Sequence, residues 1–187
     1  LVGILRIPID AYAQDRFLTD DPGNKSDAFQ EHFFEALKQK GIENYELALN
    51  ALDKAEVAAK DDPENKAVVY FEKGKNLSAL KRYEEAENNY KLFLEWSPEK
   101  IEVLEALYDM YYDDKNYDAA ILLVKKLILQ DSDYKEDLAN LYHRTKQYDK
   151  ALILLDEIDE DWGESNYRNA LRSQIYRVTG NTSKAIS

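Results

Sequence analysis

The chain has 187 residues, 44% hydrophobic and 33% charged, with only 6 Gly and 4 Pro, which excludes low-complexity disorder. Its 37 acidic against 25 basic residues give a net charge of −12, which repels phosphate and argues against nucleic acid and anionic membrane surfaces as partners. With no Cys, disulfides, thiolate zinc sites and cysteine nucleophiles are excluded.

No stretch approaches the roughly 18 apolar residues of a membrane-spanning helix, so membrane insertion is not expected. The N-terminus admits two readings. Leu1 to Leu5 is apolar, and Ala11-Tyr12-Ala13-Gln14 has the small-residue pattern of a secretory cleavage site. Arg6, Pro8 and Asp10 interrupt that apolar run, which instead suits a leader packed on the first helical unit through Phe17 and Leu18. The first reading implies a periplasmic or secreted bacterial protein, and the second fits a bacterial cytoplasm. The missing initiator Met is expected of a processed or excised piece of a longer protein. Residues 1–26 are taken as this leader and 27–187 as the main body.

Along the body a spaced motif recurs. It begins loosely at Asn44-Tyr45-Glu46-Leu47-Ala48 and becomes regular at Tyr83-Glu84-Glu85-Ala86, Tyr117-Asp118-Ala119-Ala120 and Tyr148-Asp149-Lys150-Ala151. The last three follow polar turns at Lys81-Arg82, Lys115-Asn116 and Lys146-Gln147. The alanines lie 34 residues apart (86 to 120), then 31 (120 to 151), and Ala185 after Gly180-Asn181 lies 34 further on. Within a unit the apolar positions keep helical spacing, as in Tyr70, Gly74, Leu77, then Tyr83, Ala86, Tyr90 and Phe93. Small residues at Gly74, Ala86, Ala120 and Ala151 predict close approach of two helices in each unit. Extra residues between Ala48 and Pro63 predict a longer second helix in the first unit, and Ser97-Pro98 predicts a capped helix start with proline at its first position.

At these residues the chain resembles the tetratricopeptide repeat family, whose unit is a 34-residue helix-turn-helix. The resemblance covers roughly Asp27 to the end. It implies an all-α fold, a right-handed superhelical α-solenoid of about four full antiparallel helix hairpins and part of a fifth. A single hairpin cannot bury its apolar face, so stacking of neighbours would stabilise the array. No polar capping helix is visible before Ser187, which predicts either continuation of the chain or self-association into a homo-oligomer through that end.

The resemblance also implies a concave face lined by the first helix of each hairpin, where a ligand would lie. Counting along the pattern, the first unit contributes Phe33, with Phe34 and Leu37, and the second Phe71, Lys75 and Ser78. The third contributes Glu102, Glu105, Asp109, Tyr112 and Asp113, and the fourth Glu136, Asp137, Asn140, His143 and Arg144. These residues make an acidic groove with aromatic flanks, suited to a basic or mixed basic–apolar segment of a partner protein, with Phe71 and Tyr112 as apolar anchors. The competing assignment of the same charges is an ordinary solvated helix face. Some family members grip a chaperone's terminal carboxylate with Lys, Asn and Arg. The corresponding positions here are Phe71, Lys75, Glu102, Ala106 and Asp109, and the lone base Lys75 does not make that clamp.

Catalytic chemistry has few candidates. His32 and His143 fall in different units, and no Gly-rich phosphate loop or nucleophile motif occurs. Asp113-Asp114, Asp131/Asp133 and Asp159/Asp161 invite a calcium reading, and Asp159 to Gly163 resembles part of an EF-hand loop without its later acceptors. Their placement at helix junctions fits acids that favour the start of the next helix. Trp96 and Trp162 end second helices and suit junction packing. The expectation is a non-enzymatic protein-binding scaffold with no cofactor and no metal. The alternatives are the adaptor portion of a longer regulatory or envelope-assembly protein, and a self-associating structural array.

Overall fold

The computed structural model of the protein describes residues 26–60 and 62–181. The predicted leader and the second helix of the fifth unit, with Ala185, lie outside the described residues. Within them the fold is all-α: α1 (Ser26–Gly41), α2 (Tyr45–Ala59), α3 (Pro63–Ala79), α4 (Tyr83–Trp96), α5 (Ile101–Asp113), α6 (Tyr117–Leu127), α7 (Lys135–Arg144), α8 (Tyr148–Trp162) and α9 (Asn166–Val178). One 3-10 turn, Ser132–Tyr134, precedes α7. The helices fall into two compact units, divided inside α5 after Ala106. In the first, α1 packs on α2, α2 on α3 and α3 on α4; in the second, α6 packs on α7, α7 on α8 and α8 on α9. This is the sequential hairpin packing of an all-α solenoid.

The spaced motif has a backbone cause. Glu43, Lys81, Lys115, Lys146 and Gly180 all have φ between 58° and 79° and stand one residue before Asn44, Arg82, Asn116, Gln147 and Asn181. The N–H groups of those following residues donate to carbonyls five positions back: Asn44 to Gln39 at 2.9 Å, Arg82 to Leu77 at 2.9 Å, and Asn116, Gln147 and Asn181 to Tyr111, Tyr142 and Tyr176 at 2.8 Å. Each first helix therefore ends in the same left-handed C-terminal motif, which satisfies carbonyls that helix ends otherwise leave unpaired. Four of the five left-handed residues are not glycine, so the motif persists against a steric cost.

Helix starts are set by polar caps at some junctions. Asp62 accepts from the N–H groups of Glu64 (3.0 Å) and Asn65 (3.1 Å), with Pro63 at the first helical position. Asn116, Asp131 and Ser165 cap α6, the 3-10 turn and α9 in the same way. Ser97-Pro98 does not. Ser97 follows the end of α4, Lys100 N–H donates back to Ser97 O at 3.3 Å, and α5 starts only at Ile101. Proline there shapes a turn between hairpins and is not the first residue of a helix. With 15 residues, α2 is longer than α4 (14) and α6 (11) and equal to α8 (15).

The small residues do what their size predicts. Ala86, Ala120 and Ala151 are fully buried. Gly74 lies under the ring of Tyr90, where a methyl group would come within 2.5 Å of Tyr90 Cε1. The first unit's core runs through Phe29, Phe33, Leu52, Val69, Phe71, Tyr90 and Phe93, and the second unit's through Val124, Leu127, Leu141, Leu155, Ile158 and Ile175. Each fully buried aliphatic side chain of this kind contributes roughly 1.5–3 kcal/mol.

Candidate functional site

In the first unit the expected site residues divide by chemistry. Phe33 is 1% exposed and Phe71 4% exposed, so both belong to the core and neither offers an apolar anchor to a partner. Phe33 stacks on Phe29 at 5.5 Å, while Phe71 packs against Tyr90 at 6.1 Å and Phe93 at 5.7 Å. For Phe71 the reason is that a bulky ring gains more by turning onto the second helix of its hairpin than by standing in water. Phe34, one position on, is the exposed ring of α1.

Lys75 does not stand free. Its ammonium is 5.0 Å above the Phe71 ring and 3.2 Å from Glu72 Oε1, whose other oxygen lies 2.7 Å from Lys40 Nζ. The Glu72 side chain is only 3% exposed, and two lysines neutralise it there. Glu102 and Glu105 on α5 are half-buried, with Glu102 Oε1 3.4 Å from Lys100 Nζ.

In the second unit, α5 continues the acidic series with Asp109 and Asp113, both exposed. Across its 13 residues α5 carries four carboxylates, Glu102, Glu105, Asp109 and Asp113, and no lysine or arginine. Between the last two stands Tyr112, half-buried and edge-on to Tyr108 at 6.1 Å and to Tyr117 at 5.8 Å. The Tyr108 hydroxyl donates to Asp137 Oδ1 at 3.0 Å. Burial raises the pKa of both groups. For Tyr108 the Asp137 charge adds to the rise, while for Asp137 the Tyr108 hydrogen bond offsets part of it.

On α7 the guanidinium of Arg144 lies over Tyr112 (5.0 Å) and Tyr117 (5.9 Å). His143 contacts the Tyr148 ring at 6.0 Å, and its pKa is lowered by burial and then by the Arg144 charge, so it is neutral near pH 7. Asn140 donates from Nδ2 to the Tyr167 hydroxyl on α9. Glu136 is committed elsewhere. It pairs with Arg168, which is itself buried and also donates to Asp159 and to the carbonyl of Gly163. Arg172 pairs with Asp156 and Asp159, and Lys135 with Asp161. The Asp159/Asp161 pair is therefore taken up by bases holding α7, α8 and α9 together. Among the described residues no group of three or more His, Asp or Glu is placed to hold a metal ion.

Tyr167 and Gln174, which line a cavity with Asn140, His143 and Arg144, were not reached by counting inner positions in four units. The signal for Gln174 is present in the sequence, because it stands 34 residues after Asn140 (140 to 174).

No family model matches the sequence, and no curated protein matches it. Solved structures do match. A crystal structure of MamA superposes with a TM-score of 0.68 at 17% identity, covering 86% of this chain and 87% of that one. A tetratricopeptide repeat protein from Parabacteroides merdae gives a TM-score of 0.72 at 17% identity over 85% of this chain and 63% of that one. The chain has the tetratricopeptide-repeat fold. MamA from Desulfovibrio magneticus, residue 41 to its end, matches the same repeat fold with a TM-score of 0.66 at 16% identity, over 89% of this chain and 92% of that one. In the repeat, α1, α3, α5, α7 and α9 are first helices and α2, α4, α6 and α8 second helices. Among the described residues no helix is long and apolar enough to cross a membrane.

Proposed function

We propose that the chain is a non-enzymatic interaction module that holds a basic or mixed basic–apolar segment of a partner protein on its first helices. The observation that carries this reading is α5, whose only charges are four carboxylates spread over its length. Solubility alone does not call for a helix of one sign in a chain already at −12. Carboxylates of one sign along a helix set up a field that attracts the cations of a partner. Tyr112 supplies an apolar surface between Asp109 and Asp113, while Phe34 replaces Phe33 and Phe71 as the exposed ring on the first helices of the first unit.

The test is fluorescence anisotropy of a labelled peptide of alternating Lys and Leu, with a Glu/Leu peptide as control. The Lys/Leu peptide should bind the wild-type chain more tightly as salt is lowered, because exposed charges are screened beyond about 10 Å at 0.1 M. Glu105→Lys with Asp109→Lys should weaken it about tenfold or more, a loss of about 1.4 kcal/mol. Salt-independent binding, or equal affinity of the charge-reversed variant, would sink the proposal.

A further inference from the structure

The second unit contains an arginine whose environment is unlike that of Arg168 and Arg172. Arg168 and Arg172 are each paired with carboxylates. Arg144 has no ion pair among the described residues, in a chain with 12 more acids than bases. Its guanidinium is held over the rings of Tyr112 and Tyr117. A ring beneath a guanidinium fixes its position yet consumes none of its five N–H donors. An arginine held in this way is pre-organised for a planar, two-oxygen acceptor.

The surroundings fit such an acceptor. Arg144 opens on a cavity of about 300 Å³ lined also by Asn140, His143, Tyr167, Leu171 and Gln174. The Tyr167 hydroxyl accepts from Asn140 Nδ2, so its own proton remains to be donated. Gln174 brings a side-chain amide, and His143 one ring N–H. Leu171 gives an apolar wall against which methylene groups can lie. The cavity stands at the C-terminus of α7, an end whose free carbonyls would repel an anion. Three of them are occupied here. Leu141 O accepts from Thr145 N at 2.9 Å and Thr145 Oγ1 at 2.8 Å, Tyr142 O from Gln147 N at 2.8 Å, and His143 O from Lys146 N at 3.0 Å.

We propose that this cavity receives the side-chain carboxylate of a glutamate or aspartate in the partner segment, gripped by Arg144 and oriented by Tyr167, Asn140 and Gln174. The cavity's preference for carboxylate stands on its own geometry, and only the source of that carboxylate rests on the proposed partner. A segment with bases along α5 and one acid at this cavity would be held in a single direction and register. That extends the preferred partner from basic to mixed in charge.

The test is an NMR titration of the full chain, following the Arg144 Nε–H and the side-chain amides of Asn140 and Gln174. The probes are N-acetylglutamate blocked as its α-amide, the corresponding glutamine compound, N-acetylalanine with a free α-carboxylate, and inorganic phosphate. The glutamate probe should give saturable shifts, at least fivefold tighter than any other probe. Arg144→Gln should abolish them, and Arg144→Lys, which keeps the charge but not the fork, should weaken them several-fold. Both variants should retain the wild-type circular dichroism spectrum, since Arg144 is exposed. Equal response to the glutamine probe, binding of phosphate or N-acetylalanine as tight as glutamate, or unchanged shifts in a folded Arg144→Gln would each overturn the proposal. Lys/Leu peptide binding depends on Glu105 and Asp109, so failure of one reading leaves the other measurement intact.

Discussion

Replacing Gly74 by Ala sets two effects of opposite sign against each other. In an open helix interior the change would stabilise by about 0.8–1 kcal/mol, because alanine loses less backbone entropy. At this site the new methyl carbon would stand 2.5 Å from Tyr90 Cε1, 2.7 Å from Cδ1 and 2.9 Å from Cζ. Carbon atoms pack at about 3.5–4 Å, so the ring must move by about an ångström. Tyr90 has little room to do so. It is 1% exposed, it packs against Phe71 at 6.1 Å, and its hydroxyl lies 3.4 Å from Ser78 Oγ. Overpacking of this kind costs about 1–3 kcal/mol, and a rigid ring places the cost in the upper part of that range. The net prediction is a loss of about 1–2 kcal/mol for Gly74→Ala, with Gly74→Leu losing more. Urea unfolding followed by circular dichroism measures it. A double-mutant cycle with Tyr90→Leu should return a coupling of about 1 kcal/mol or more, because the smaller side chain gives the methyl room. If Gly74→Ala were instead stabilising by the full helix-propensity amount, the packing of α3 on α4 described here would be wrong.

Lys115→Gly should raise stability by about 0.5–1 kcal/mol, since φ of +60° strains a lysine and suits glycine; a lower urea midpoint would contradict this. Arg168→Leu should cost about 2–3 kcal/mol, less than a fully abandoned buried pair because Arg172 still neutralises Asp159. Acid should weaken the same network. Burial raises the Asp159 pKa, but hydrogen bonds from Arg168 and Arg172 outweigh it and leave the pKa lowered. The stabilisation is therefore complete above the unfolded value of about 3.9 and lost as pH falls through the lower folded value. Unfolding midpoints measured from pH 5 to pH 2 should fall less steeply in Arg168→Leu than in the wild type, and parallel curves would refute the assignment.

How much of this could be read from the sequence depends on which physical signal each residue carries. The hairpins were legible because the left-handed turn before each Tyr or Asn-Thr step repeats with the core alanines. Lys81, Lys115 and Lys146 marked those turns without revealing their positive φ. Gly74 was legible from size alone. The site was less so, since spacing assigns a residue to a face but not the direction of its side chain. Phe33 and Phe71 occupy inner positions in the count and yet turn into the core. Lys75, counted as an inner-face base, is tied to Glu72, while the Ser97-Pro98 cap gave way to a turn because α5 starts later. The acids of α5 needed no side-chain geometry to be recognised, as a helix without a base is a property of sequence. Arg144 over two tyrosines depends on residues of three helices meeting, which no one-dimensional pattern contains.

A partner segment held on the first helices would mark their amides and leave those of the second helices unchanged. NMR mapping of the bound Lys/Leu peptide on the full chain tests this most directly. Perturbed amides are expected along α5, strongest at Glu105, Asp109, Tyr112 and Asp113, with second helices such as α4 and α8 unaffected and the pattern absent in Glu105→Lys with Asp109→Lys. Perturbations confined to the second helices, or an unchanged α5 at saturating peptide, would contradict it.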